Sequence, residues 1–185
     1  MGVSQIVKIK IIDNFANITE QLKIIQHMQG DHTHGFDHTS VSKQNKKTKF
    51  TIDYPQFVKS IFHTQPSCYI DNKFFPLVYY LLHKNGLSNN FIDRIKINTT
   101  FPYPNNTKEK HGPIHQDFDI KGLSIIYYVN NSDGDTVFFD KNLKEIKRMS
   151  PKQGRAVIFD SNINHAACCP INSPYRQVIN FVLYK

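Results

Sequence analysis

The stretch that decides the fold is HGPIHQDFD at positions 111–119. His115 and Asp117 stand two residues apart in an extended-looking segment, and side chains at that spacing on a strand project to one face. One metal ion can therefore take a ligand from each. Further along the chain, the apolar run Ala156-Val157-Ile158-Phe159 reads as a buried strand that closes in the polar turn Asp160-Ser161-Asn162. His165, just past that turn, can supply a third ligand from a neighbouring strand.

Two histidines and one carboxylate with the remaining positions open suit a non-haem Fe(II) centre, because imidazole and carboxylate match that ion and open positions admit reactants. Arg176 follows His165 by eleven residues and opens the last β-rich run. Its guanidinium can pair bidentately with the far carboxylate of a dicarboxylic acid whose other end chelates the metal.

In these residues the chain resembles the 2-oxoglutarate/Fe(II)-dependent dioxygenases, and within them the prolyl-hydroxylase-like branch. The matching segments, in family order, are HGPIHQDFD at 111–119, SIIYYVNNSDGDTVFFD at 124–140, PKQGRAVIFDSNINHAA at 151–167 and RQVINFVLY at 176–184. The resemblance implies a double-stranded β-helix with Fe(II) on His115, Asp117 and His165. It further implies 2-oxoglutarate and O₂ as cosubstrates, with Arg176 on the distal carboxylate of 2-oxoglutarate. Tyr128 resembles the tyrosine that helps hold that carboxylate in the hypoxia-type prolyl hydroxylases, and its neighbour Tyr127 should point the other way. Asn98 and Tyr103, on the approach to His115, stand where the family places another cosubstrate contact; their parities differ, so one regular strand cannot turn both inward. Two departures narrow the subtype. Asp117 is present where halogenating relatives lack the carboxylate, and Val182 stands six residues after Arg176 where the nucleic-acid demethylase branch has a second arginine.

At 185 residues the chain is long enough to bury one core without disulfides or structural zinc, and a single domain spanning 1–185 is expected. Residues 1–90 would form a helical support with a loop, and 91–185 the double-stranded β-helix. The cysteines number three, two of them adjacent at Cys168 and Cys169, so a disulfide framework does not fit and a reducing compartment does. The start MGVSQIVKIKIID interleaves lysine with apolar residues, unlike a secretory signal. Nowhere is there a run of about 18 apolar residues, so the expectation is a cytoplasmic protein without a membrane contact.

A net charge of +8 raises the question of nucleic acid. The positive charge comes from 19 Lys and 4 Arg spread along a chain rich in Asn and Ile. That texture describes a solvated basic surface rather than a phosphate track.

The fold class expected from periodicity is mainly β with N-terminal helices, a β-sandwich or barrel braced by helices on one face, which the resemblance narrows to a jelly-roll-like double-stranded β-helix. A short strand over 6–12 precedes a helix capped by Asn17 and Glu20, with Ile18, Leu22, Ile25 and Met28 as its apolar face and Gly30 at its end. A second short helix is expected after Pro55, through Phe57, Val58, Ile61 and Phe62, and a third over 74–82 with Gly86 past its C-terminus. Strands are expected over 92–100, 123–129, 136–140, 143–149, 155–159 and 176–184. The polar stretch 31–49 has no apolar period and reads as a long loop able to cover a site. It holds a rival ligand set, His32, His34, Asp37 and His38, which lacks an adjacent buried strand to fix its geometry.

The function implied is hydroxylation of an unactivated C–H bond, on a protein or peptide residue such as proline. A small-molecule or nucleobase hydroxylase of the same superfamily, or an idle β-barrel binding module, are the alternatives, since fold kinship does not carry substrate.

Overall fold

The computed structural model describes residues 8–30, 35–37, 46–118 and 121–184. The histidines His32, His34 and His38, most of the 31–49 loop and the start of the first expected strand lie outside the described residues. Eleven strands and two helices follow in the order β1 Ile9–Ile12, α1 Ile18–Gly30, β2 Gly35–Asp37, β3 Gln56–His63, β4 Tyr69–Ile70, α2 Phe75–Lys84, β5 Phe91–Thr100, β6 Gly122–Tyr128, β7 Thr136–Phe139, β8 Glu145–Met149, β9 Ala156–Asp160, β10 Asn164–Ala167 and β11 Arg176–Tyr184.

The larger sheet runs β1-β9-β6-β11-β5-β3-β2 with β4 beside β3, and the smaller runs β10-β7-β8. A bridge between His115 and His165 sets the segment around Ile114 against the free edge of β10. Four strands of the larger sheet, β9-β6-β11-β5, thus face a second layer made of that segment, β10, β7 and β8. Phe138 and Met149 from the smaller sheet pack with Ile126, Tyr128, Val157, Phe159 and Val178 from the larger one. The fold is the expected double-stranded β-helix.

Strand alternation sorts β11 into two faces. Ile179, Phe181 and Leu183 look outward and join Ile95, Ile97, Ile125 and Tyr127 in the main core, where Ile24 and Met28 of α1 and Val78, Leu81 and Leu82 of α2 cover them. Tyr127 does point away from the interior, yet it is buried, because the helices occupy that side. Fully burying each such aliphatic side chain stabilises the fold by about 1.5–3 kcal/mol, so the helices and the outer face of the sheet hold each other in place.

The cap of α1 forms as a reciprocal pair: the Glu20 carboxylate accepts from the Asn17 backbone N–H at 2.6 Å, and Asn17 Oδ1 accepts from the Glu20 N–H at 2.9 Å. Its buried stripe differs from the expected one. Ile18 and Leu22 are 64% and 58% exposed, whereas Glu20 and Gln21 are buried beside Ile24 and Met28. Specific partners make this tolerable, since Lys84 donates to Glu20 and Gln21 Nε2 donates to the Ala16 carbonyl. Gly86 follows α2 at φ +71°, the left-handed conformation expected there.

The expected helix after Pro55 is a strand. Residues 56–63 pair with β5 in antiparallel register, Val58 opposite Asn98 and Ser60 opposite Lys96. Phe57, Val58, Ile61 and Phe62 satisfy either period, and an unpaired edge on β5 decides for the sheet, where branched and aromatic side chains are favoured. This strand also carries Lys59, whose ammonium pairs with Asp71 at 2.9 Å; their side chains are 5% and 10% exposed. Asp71 Oδ1 in turn accepts from the N–H groups of Lys73 and Phe74 at the start of α2.

Lys59→Met should therefore cost about 3–5 kcal/mol in chemical denaturation, because it strands a buried carboxylate. Burial raises the Asp71 carboxyl, but Lys59 and the two N–H donors outweigh it and hold the group below its ordinary value near 3.8. A depressed carboxylate stabilises above its unfolded pKa. In the wild type that contribution should be intact at neutral pH and fade only as pH falls from about 3.8 through the lowered value.

Candidate metal and cosubstrate site

The backbone of His115 and His165 exchanges two hydrogen bonds, His115 N–H to the His165 carbonyl at 3.0 Å and His165 N–H to the His115 carbonyl at 2.9 Å. Residues paired in this way face each other across the ladder with side chains on one side. Their imidazole centroids stand 4.4 Å apart. In each ring Nδ1 lies against a carbonyl two residues back, Pro113 at 3.1 Å and Ile163 at 3.0 Å. A carbonyl can only accept, so Nδ1 carries the proton and Nε2 presents its lone pair. Burial above all, and then His165 alongside, pushes His115 down to about 4, so its ring is neutral at physiological pH and fit to ligate.

Asp117 completes the set. Its backbone N–H donates to the Ser161 carbonyl at 3.0 Å, and its Oδ2 stands 3.7 Å from His165 Nε2. One donor atom from each of His115, Asp117 and His165 lies within 4.8 Å of the others, the group among the described residues that can hold a metal ion. Two imidazole nitrogens and one carboxylate oxygen, converging in a pocket with one side open, fit Fe(II).

The carboxylate is itself fixed. Ser124 donates to Oδ2 at 2.6 Å, Asn180 Nδ2 approaches Oδ2 at 3.3 Å, and Arg94 donates to Oδ1 at 2.9 Å. Burial works to raise Asp117, but His165, Arg94, His115 and the Ser124 hydrogen bond prevail and hold it at about 2. It is ionised whenever the protein is folded near neutrality. Ser124, Asn180 and Arg94 are residues that sequence reasoning missed. The two-residue period sets Asn180 on the same face of β11 as Arg176, and the same parity on β5 would have found Arg94 once Asn98 was taken as inward.

Arg176 lies deeper in the same cavity, 3% exposed. Its Nε donates to the Gly134 carbonyl at 2.7 Å and one terminal nitrogen donates to Thr136 Oγ1 at 2.9 Å. The Tyr128 hydroxyl also donates to Thr136, at 2.8 Å, and its ring centroid is 5.9 Å from the guanidinium carbon. Gly134 must lack a side chain, since a Cβ there would stand 2.7 Å from the Cys168 carbonyl and 2.9 Å from Arg176 Cδ. Among the described residues no carboxylate pairs with Arg176, so a buried guanidinium with donors to spare faces the cavity.

The cavity has a volume of about 260 Å³ and takes in the three candidate ligands, Arg176 and Asn98. Asn98 Oδ1 is buried without a hydrogen-bond partner, as a group awaiting one would be. Tyr103 is not among the lining residues and is 39% exposed. The strand ends at Thr100, and the loop beyond it carries Tyr103 to the surface. Tyr54, from the segment before β3, lines the cavity instead, its hydroxyl donating to the Ala167 carbonyl at 2.7 Å. His111 stays outside, buried between Thr48, the Gly112 carbonyl and Phe139 as a structural group.

Residues 103–184 match the family model described as 2OG-Fe(II) oxygenase superfamily. No curated protein sequence matches the chain significantly. Among solved structures, an oxidoreductase of the 2OG-Fe(II) oxygenase family from Burkholderia pseudomallei superposes with a TM-score of 0.70 at 12% identity, covering 95% of this chain and 84% of that one. A prolyl hydroxylase from Trichoplax adhaerens, in complex with a hypoxia inducible factor oxygen degradation domain peptide fragment, gives 0.58 at 16% identity over 95% and 83%. The viral collagen prolyl hydroxylase of Paramecium bursaria Chlorella virus-1, as its 2OG complex, gives 0.58 at 12% over the whole of both chains. At these identities the likeness is one of fold, and the family rests on the matched segment, which holds both candidate histidines, Asp117, Tyr128 and Arg176 in a buried convergent geometry. Residues 103–184 are similar to the 2OG-Fe(II) oxygenase superfamily, and that match, with the His115–Asp117–His165 set, supports a dioxygenase that uses Fe(II), 2-oxoglutarate and O₂.

Proposed function

We propose that the chain is a hydroxylase acting on a residue of a protein or peptide, with proline the first residue to test. The observation that carries this reading is one cavity holding the His115–Asp117–His165 set beside a buried Arg176 that lacks a carboxylate partner. In this reading the three side chains hold Fe(II), which with 2-oxoglutarate and O₂ supplies the oxidising power for hydroxylation as the cosubstrate is converted to succinate and CO₂.

The residues of the chain bind and orient. Arg176 fixes the distal carboxylate of 2-oxoglutarate, and Thr136, which accepts from both Arg176 and Tyr128, keeps the guanidinium and the phenol in one arrangement. Asn98 lines the same cavity from β5, the strand beside β11, with its Oδ1 unsatisfied. Ser124, Asn180 and Arg94 prevent the Asp117 carboxylate from rotating. Size favours a macromolecular substrate: pockets that enclose drug-sized ligands run to about 300–1,000 Å³, and 260 Å³ shared with a cosubstrate leaves room for one side chain entering from outside. The Trichoplax adhaerens prolyl hydroxylase, which shares this fold, is in complex with a peptide fragment, which agrees with that reading.

His165→Ala should abolish stoichiometric Fe(II) binding and the slow, substrate-free formation of succinate. Retention of both would show that the ligands lie elsewhere and send attention to His32, His34 and His38.

Arg176→Ala should weaken 2-oxoglutarate by about two to four decades in anaerobic titration of the metal-loaded protein while metal affinity holds, because an unpaired buried carboxylate costs about 3–5 kcal/mol. Arg176→Lys should recover part of the loss, keeping the charge without the planar fork. Equal affinity in wild type and Arg176→Ala would refute the assignment.

A further inference from the structure

Asp117 is held from two strands of the larger sheet with a third between them. In the ladder, Ser124 of β6 and Arg94 of β5 both stand opposite Val182 of β11. The three form one row across the sheet, and by alternation Val182 shares the face of β11 from which Arg176, Val178 and Asn180 line the cavity. Ser124 donates to Asp117 Oδ2 at 2.6 Å from one end of the row, and Arg94 donates to Oδ1 at 2.9 Å from the other. Val182, buried between them, has no polar side-chain atom to offer. The two carboxylate oxygens are thus bound from different strands, and the group cannot turn without breaking one of those bonds.

The two oxygens are not equivalent. Oδ2 lies 3.7 Å from His165 Nε2, on the side where the candidate ligands converge, and Asn180 Nδ2 also approaches it at 3.3 Å. Oδ1 is turned to the guanidinium of Arg94, a cation that is itself only 25% exposed. A carboxylate can bind a metal through one oxygen or through both. A guanidinium already seated on Oδ1 opposes the second mode, because it fills the lone-pair direction and repels a second cation there. This matters for the count of positions. An octahedral ion has room for three protein donors, a chelating cosubstrate and O₂, with none to spare, so an Asp117 that chelated would take a position that a reactant needs.

We infer that Arg94 is a positioning residue that limits Asp117 to ligation through Oδ2 and so keeps one coordination position open for the reactants. This rests on the reading of His115, Asp117 and His165 as the metal ligands, and it adds the residue that decides how one of them binds. Ser124 cannot take over the task, since its hydroxyl sits on the oxygen that faces the metal set.

The test titrates Mn(II), an oxygen-tolerant stand-in for Fe(II), into the full chain, counts metal-bound waters by proton relaxation, and then titrates 2-oxoglutarate into the metal-loaded protein. Arg94→Met should bind Mn(II) at least as tightly as the wild type, carry fewer metal-bound waters, and bind 2-oxoglutarate about tenfold or more weakly, the size of one charge-assisted interaction. Arg94→Gln makes the same comparison if Met is not tolerated on the cavity wall, and Arg94→Lys should restore part of the water count and of the 2-oxoglutarate affinity. Ser124→Ala, at the other end of the row, should weaken Mn(II) by about 10–100-fold, as loss of a supporting hydrogen bond does, with the wild-type water count. A wild-type water count in both Arg94→Met and Arg94→Gln overturns the inference. If metal and 2-oxoglutarate then both weaken, the site has merely loosened; if 2-oxoglutarate alone weakens and Arg94→Lys restores it in full, Arg94 acts only through its charge. Wild-type protein that takes up no Mn(II) removes the ligand reading and this inference with it, whereas uptake that is lost in His165→Ala upholds the ligand reading whatever Arg94 does.

Discussion

The site depends on a two-hydrogen-bond exchange between the backbones of His115 and His165. That pairing is far from local, fifty residues apart in the chain, and it closes the second layer of the β-helix by placing the segment around Ile114 on the edge of β10. A one-residue slip would turn one imidazole to the opposite face, because side chains alternate along a strand. Fold closure and ligand convergence are therefore the same event. Buried apolar packing holds the register, with Phe138, Phe159 and His165 in mutual ring contact and Ile114 packed with Val137, Phe139 and Ala166 on the other side.

The polar groups follow an order of burial that matches their tasks. Asp117 is enclosed almost completely and surrounded by donors, which keeps it charged in a place where an isolated carboxylate would take up a proton. Arg176 is equally buried but is given only neutral acceptors, the Gly134 carbonyl and Thr136 Oγ1. A guanidinium held without an anion among the described residues is a cost to the folded chain that a bound carboxylate would remove.

Much of this was legible from residue spacing. The His115–Asp117 pair, the apolar run before His165 and the alternation of Arg176, Val178 and Asn180 need only the two-residue period of a strand, and the period dictates the face. The N-terminal block was harder to read, since Phe57, Val58, Ile61 and Phe62 suit a helix as well as a strand. Nothing near Pro55 in the chain reveals that β5 offers an open edge. In α1 the buried positions include Glu20 and Gln21, whose partners Lys84 and the Ala16 carbonyl appear only once α2 and the preceding turn are placed. The strand expected over 92–100 does end at Thr100, and Tyr103 lies in the loop beyond it, 39% exposed and outside the cavity lining.

The residues missed at the site share one physical character. Ser124, Asn180, Arg94 and Tyr54 carry no motif, because what they supply is a hydrogen bond or a charge aimed at a group far off in sequence, and many side chains can do that. Three of them act on a single carboxylate. Arg94 is the telling case: as one of only four arginines in a lysine-rich chain, it stands on β5 where a planar donor reaches Asp117. A guanidinium gives direction and an ammonium gives reach. The alternation of β5 thus sets the Arg94 guanidinium on the cavity wall, aimed at Asp117, while Ile95 on the other face enters the helix-covered core.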